Sequence, residues 1–138
     1  MQLSLKTKKK FLHGDVELAK KLLADGVHLR SDQLMQIYKA KSYGLYTIIS
    51  THSIDEAKLA QKLGADAITF SPIFHSPDKG EAKGVEALEQ LLNVATIPVF
   101  ALGGIIGIEQ INSLKPLKNL YGFASIRYFV DPQIDKVR

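Results

Sequence analysis

The 138 residues leave room for one domain with one core, and 46% hydrophobic against 23% charged residues is the balance of a globular chain rather than a disordered one. No apolar run approaches the roughly 20 residues that cross a bilayer, the start MQLSLKTKKK has no apolar segment behind its charges, and the lack of cysteine removes disulfides, thiolate metal sites and thiol nucleophiles; a reducing cytoplasm is the expected compartment. The net charge of +4 draws on Lys6, Lys8, Lys9 and Lys10 beside the terminus, with no basic stripe interleaved with aromatics behind them, so it points to small anionic ligands and away from nucleic acid or membrane.

In chain order, residues 10–13 offer a short strand, and 15–24 place Val16, Ala19, Leu22 and Leu23 at helical spacing, with Gly26 closing that helix. The run GVHLR (26–30) reads as a strand, and LYTIIS (45–50) as the next. Ile54, Ala57, Leu59, Ala60 and Leu63 then mark a helix capped by Ser53 or Asp55 and stopped by Gly64. DAITFS (66–71) is a strand opening into a polar loop, followed by a helix over 84–93 and the strand IPVFAL (97–102). A shorter helix over 108–114 is stopped by Pro116, LYGFAS (120–125) is the last strand, and a last helix starts after Asp131 with Pro132 in its first turn.

Strands recurring at about 20 to 30 residues with helices between them describe βα units and a parallel sheet. Their apolar runs are continuous rather than alternating, as in strands covered on both faces, which fits an open doubly wound sheet as well as a barrel. Polar residues and glycines at the end of one strand after another favour the carboxyl face of a barrel. The expected fold is therefore α/β, a TIM (β/α)8 barrel in one domain over 1–138.

Chemistry gathers at those strand ends. Gly103 and Gly104, directly after IPVFAL, let backbone amides approach an anion closely, or simply make a tight turn. The next strand ends in Ser125 and Arg127, a hydroxyl and a guanidinium where barrels often complete a phosphate site. SPIFHSPDKG (71–80) supplies Ser76, Asp78 and Lys79, and Ser50 and His52 stand where LYTIIS meets its helix. His13, His28 and His75 have no spacing that suits a helix-borne metal pair, and His28, inside an apolar strand, reads as a satisfied core or barrel-interior histidine.

The segments ADGVHLRSDQL, IISTHSIDEAKLAQKLGADAITFSPIFHSPDKG and IPVFALGGI, in this order, resemble thiamine-phosphate synthase and its sister family, the thiazole tautomerases. The resemblance runs from about His13 to Phe129 and implies barrel strands 3 to 8, with no counterpart of the first two. It implies a transferase of thiamine biosynthesis that joins hydroxymethylpyrimidine diphosphate to thiazole phosphate and releases pyrophosphate. By motif, Ser50 and Lys79 are the catalytic candidates, and Ser76, Gly103 and Gly104 join them in binding substrate; His13, His52, Ser125 and Arg127 complete the binding candidates, Arg127 by its charge at a place where the family commonly has serine. The family's magnesium is also implied. Its paired Asn-Asp is matched here by His13 and Gly14 and the aspartate of its GQxD by Gln33, so Asp15 and Asp32 are the nearest carboxylate candidates. A tautomerase or a non-catalytic phosphate-binding module is the alternative; the tautomerase's catalytic histidine is matched by Pro72, with His75 nearby. Strand edges left by a partial barrel imply a homo-oligomer, with a dimer the simplest form.

Overall fold

The computed structural model describes residues 9–74, 82–102, 112, 114, 116–117 and 120–124. The chain divides into two compact units, Met1–Ile68 and Thr69–Arg138.

In the first unit, β1 (Phe11–His13), β2 (Gly26–Leu29) and β3 (Tyr46–Thr51) run parallel. The register sets His13 beside His28 and His28 beside Ile48. Helical crossovers join them: α1 (Val16–Lys21), then a 3-10 segment (Ser31–Gln36) running into α2 (Ile37–Ser42), then α3 (Ile54–Lys62) after β3. β4 (Ala67–Phe70) starts in this unit and ends in the next.

Local chemistry places these boundaries. Asp15 Oδ1 accepts from Leu18 N at 2.9 Å to start α1, and Ser53 Oγ accepts from Glu56 N at 3.1 Å to start α3, each satisfying an amide the helix leaves unpaired. Each helix turns a narrow apolar face inward: Val16 and Ala19 from α1, Ile37 and Ala40 from α2, Ala57 and Ala60 from α3. With Val27, Leu29, Ile48 and Ile49 from the strands they form this unit's core. All four residues of β2 and all four of β4 are buried, as the continuous apolar runs require. Each fully buried Leu or Ile contributes about 1.5–3 kcal/mol. Asp66, just before β4, ties β3 to α2, accepting from Thr47 N at 2.8 Å and Lys41 Nζ at 2.5 Å.

The second unit holds α4 (Gly84–Val94), which buries Leu88, Leu91 and Leu92. Its β5 (Val99–Leu102) and β6 (Leu120–Ala124) pair in parallel, with Leu102 opposite Ala124. Backbone bonds from Ile73 N to Leu102 O, 2.9 Å, and from Gly84 N to Ile73 O, 2.8 Å, anchor the chain on either side of 75–81.

Three differences from the sequence reading have local causes. Helix α1 stops at Lys21, because Leu23 adopts φ 56 and Ala24 N closes on Ala19 O at 2.9 Å. Gly26 is thus no helix stop; it opens β2. Residues 31–42 form helical turns that the sequence did not announce, since Gln33, at φ −113 and ψ 21, breaks the period within the 3-10 segment that runs into α2. The helix expected after Asp131, and all of 108–114 except residues 112 and 114, lie outside the described residues.

Candidate functional site

The carboxyl ends of β1, β2 and β3 carry a polar cluster built by register. Neighbours across a parallel sheet point to one face, and residues two apart on a strand share it. His13 and His28 are therefore side by side, with ring centroids 4.9 Å apart and planes tilted by 35°. From β3, Ser50 brings its hydroxyl to 2.8 Å from His28 Nε2.

His28 is 5% exposed, and its Nδ1 has no hydrogen-bond partner. Burial, and then the neighbouring His13, push its pKa down to about 4, so the ring is neutral near pH 7. Partial burial lowers His13 as well. A neutral imidazole has one N–H. If that proton sat on Nδ1, a buried donor would go unmet, at about 1–3 kcal/mol. With the proton on Nε2 the unmet atom is only a lone pair, and the ring donates to Ser50 Oγ. The serine proton is then available to an acceptor on a ligand.

A second network lies beside the first. Gln33, 7% exposed, donates from Nε2 to Gly14 O at 2.9 Å and accepts at Oε1 from Arg30 N at 3.0 Å. Gly14 N in turn donates to His28 O at 2.9 Å. Gly14 has φ +72, and a Cβ there would lie 3.1 Å from Arg30 Nη1.

Of the residues singled out by sequence, His13 and Ser50 come together here through His28. The His52 ring is exposed at the start of α3, and its backbone N donates to Glu56 Oε1 at 2.7 Å. Ser76, Lys79, Gly103, Gly104, Ser125 and Arg127 lie outside the described residues. His28 is buried as expected and its Nε2 is bonded to Ser50; only its Nδ1, without a partner, departs from the expectation of a satisfied histidine. Gln33 and Arg30 were missed as members of this cluster. The available signal was a polar residue at every second position of an otherwise apolar strand end, His28 then Arg30.

Magnesium binds through several converging oxygens, preferably carboxylate. Asp15 Oδ1 is engaged by the α1 cap, and Asp32 Oδ1 receives Arg30 Nε at 3.1 Å. Among the described residues no three carboxylate or imidazole groups gather as ligands. Gln33 spends both ends of its amide on the backbone. Among the described residues the donor set does not fit the ion.

The profile of a family described as thiamine monophosphate synthase matches residues 6–127. An Aquifex aeolicus protein, provisionally named thiamine-phosphate synthase 2, is 38% identical over 120 residues, covering 85% of this chain and 62% of that protein. The thiamine-phosphate synthase of Bacillus thuringiensis (strain Al Hakam) is 36% identical over 99 residues, covering 68% of this chain and 45% of its own length. Among solved structures, the thiamine phosphate pyrophosphorylase of Pyrococcus furiosus superposes with a TM-score of 0.70 at 29% identity, covering 84% of this chain and 55% of that one. FabK of Thermotoga maritima, at 18% identity and TM-score 0.72 over 91% of this chain and 43% of its own, shares the fold alone. The α/β class with parallel strands of the TIM-barrel kind follows from these likenesses. The chain spans about half to three fifths of the length of these curated relatives.

Proposed function

Because the chain belongs to the thiamine monophosphate synthase family, we propose that it works in thiamine biosynthesis as a thiamine-phosphate synthase-like transferase acting on phosphorylated pyrimidine and thiazole substrates. In that reaction the bond from the pyrimidine methylene to the diphosphate oxygen breaks. The electron pair leaves with pyrophosphate, and the thiazole nitrogen forms the new bond to the methylene carbon. No protein nucleophile is required, so the protein's work is orientation and charge neutralisation.

The observation that carries this reading is the buried His28 ring hydrogen-bonded to Ser50 Oγ at a strand end; with the ring proton on Nε2, the hydroxyl proton is left for a ligand oxygen. By the family's pattern, Ser50 binds the pyrimidine diphosphate and Lys79 neutralises the diphosphate. Ser76, Gly103 and Gly104 take phosphate oxygens, and Ser125 and Arg127 are added on charge and position. His13 and His52 complete the binding set.

Isothermal titration with thiazole phosphate and with pyrophosphate is expected to show binding of both, weakened about tenfold or more by Lys79→Ala, the loss of one charge-assisted contact. Flat heats for both ligands would remove the reading.

A homo-oligomer, with a dimer the simplest form, is part of the same proposal. Its support is apolar surface left in water on the first unit, where Leu23 is 89% exposed, Met35 79% and Tyr38 63%. Sedimentation velocity is expected to give a dimer, and a monomer at high concentration would overturn it. Cytoplasmic residence belongs to the proposal too, since charged substrates do not cross a bilayer unaided; cell fractionation checks it.

A further inference from the structure

The two positions that match the family's metal carboxylates are Gly14 and Gln33, and the structure replaces both in a coordinated way. Gln33 cannot act as a free ligand: buried, it bonds Gly14 O and Arg30 N, and so fixes the β1 end against the β2 end. Gly14 has no side chain, and the space where a Cβ would project is bordered by Arg30 Nη1 at 3.1 Å. A side chain at 14 would press on the guanidinium and would sit in a left-handed backbone region that disfavours most residues. Glycine at 14 thus lets the Arg30 guanidinium come close to the end of β1, and Gln33 joins them.

The arginine is also oriented. Asp32 Oδ1 takes Nε at 3.1 Å while Nη1 lies toward Gly14, and the side chain as a whole is 67% exposed. Arg30 follows His28 by two in an extended backbone, φ −77 and ψ 162, so it emerges on the face that carries His28 and Ser50.

We propose that Arg30 takes over the charge-neutralising role that the family gives to a divalent cation, so that this strand end binds phosphate or diphosphate oxygens without metal. A guanidinium suits that role because it keeps its charge at any working pH, and its planar fork meets two phosphate oxygens at once. It needs no carboxylates, and Gly14 and Gln33 supply none. The inference rests on the phosphate-ligand reading of the same site and adds what supplies the positive charge there.

Pyrophosphate and inorganic phosphate titrated into the full chain in EDTA separate the possibilities. The expected result is binding in EDTA, no tighter for inorganic phosphate when magnesium is added, a loss of about tenfold or more in Arg30→Gln, and partial recovery in Arg30→Lys, which keeps the charge but not the fork. Thermal melting of both variants is expected to match the parent, since the Arg30 side chain is 67% exposed. Binding that appears only with magnesium overturns this inference and leaves the proposed function standing. Metal-free binding unchanged in Arg30→Gln overturns the role of Arg30 alone. No binding in either medium overturns both.

Discussion

Gly26→Ala is expected to destabilise the fold by about 3 kcal/mol, and to lower the melting temperature by roughly 10 °C, because the added methyl has nowhere to go. A Cβ at this position would lie 2.4 Å from Phe11 Cε2 and 2.4 Å from Tyr46 O. The ring could turn only by leaving its edge-on contact with Tyr46, centroids 5.8 Å apart at 81°. The carbonyl cannot turn aside at all. It belongs to the β3 residue in register with Gly26, and Tyr46 N is itself held by Asp25 O at 3.1 Å. Relief must come from separating β2 from β3, the pair that places His28 against Ser50. Gly44→Ala is the control: its Cβ would meet nothing within 4 Å, so only the cost of φ +74 remains, about 1 kcal/mol. Equal melting temperatures for the two variants would mean that close strand approach is not what Gly26 provides.

That glycine also marks where the sequence was legible and where it was not. Strands buried on both faces must be apolar throughout, so β2 to β5 stood out as continuous runs, and Ser53 and Gly64 bracketed α3 because helix ends need an acceptor and a left-handed exit. Gly26 looked like such an exit, but the left-handed residue is Leu23, and no local rule would choose leucine there. The turns over 31–42 were hidden because a 3-10 segment has a different period from the α-helix it enters. Ser50 was readable as a polar residue ending an apolar strand. The His28 contact and the Gly14–Gln33–Arg30 network were not, because they depend on which residue of β1 faces which residue of β2. Register is a pairwise property of strands 15 residues apart along the chain, Phe11 against Gly26, and periodicity within one strand carries no trace of it.

Acidification tests the buried histidine. An unfolded histidine takes its proton near 6.5, whereas His28 in the folded chain resists until about 4, because charging it would strand a cation away from water and beside His13. Between those values the unfolded chain binds a proton that the folded chain refuses, so stability is whole above about 6.5 and falls as the pH drops toward 4. Over that interval His28 removes at most about 3 kcal/mol, at about 1.4 kcal/mol per pH unit. His13, also lowered, adds in the same sense, and with the rings 4.9 Å apart the proton steps belong to the pair. His28→Gln keeps an amide where Nε2 meets Ser50 and has nothing to protonate. Urea midpoints measured near pH 7 and near pH 4.5 are expected to fall steeply for the parent and much less for the variant. The same fall in both would place the acid sensitivity elsewhere, and with it would go the argument that a neutral His28, donating from Nε2, leaves the Ser50 proton for the ligand.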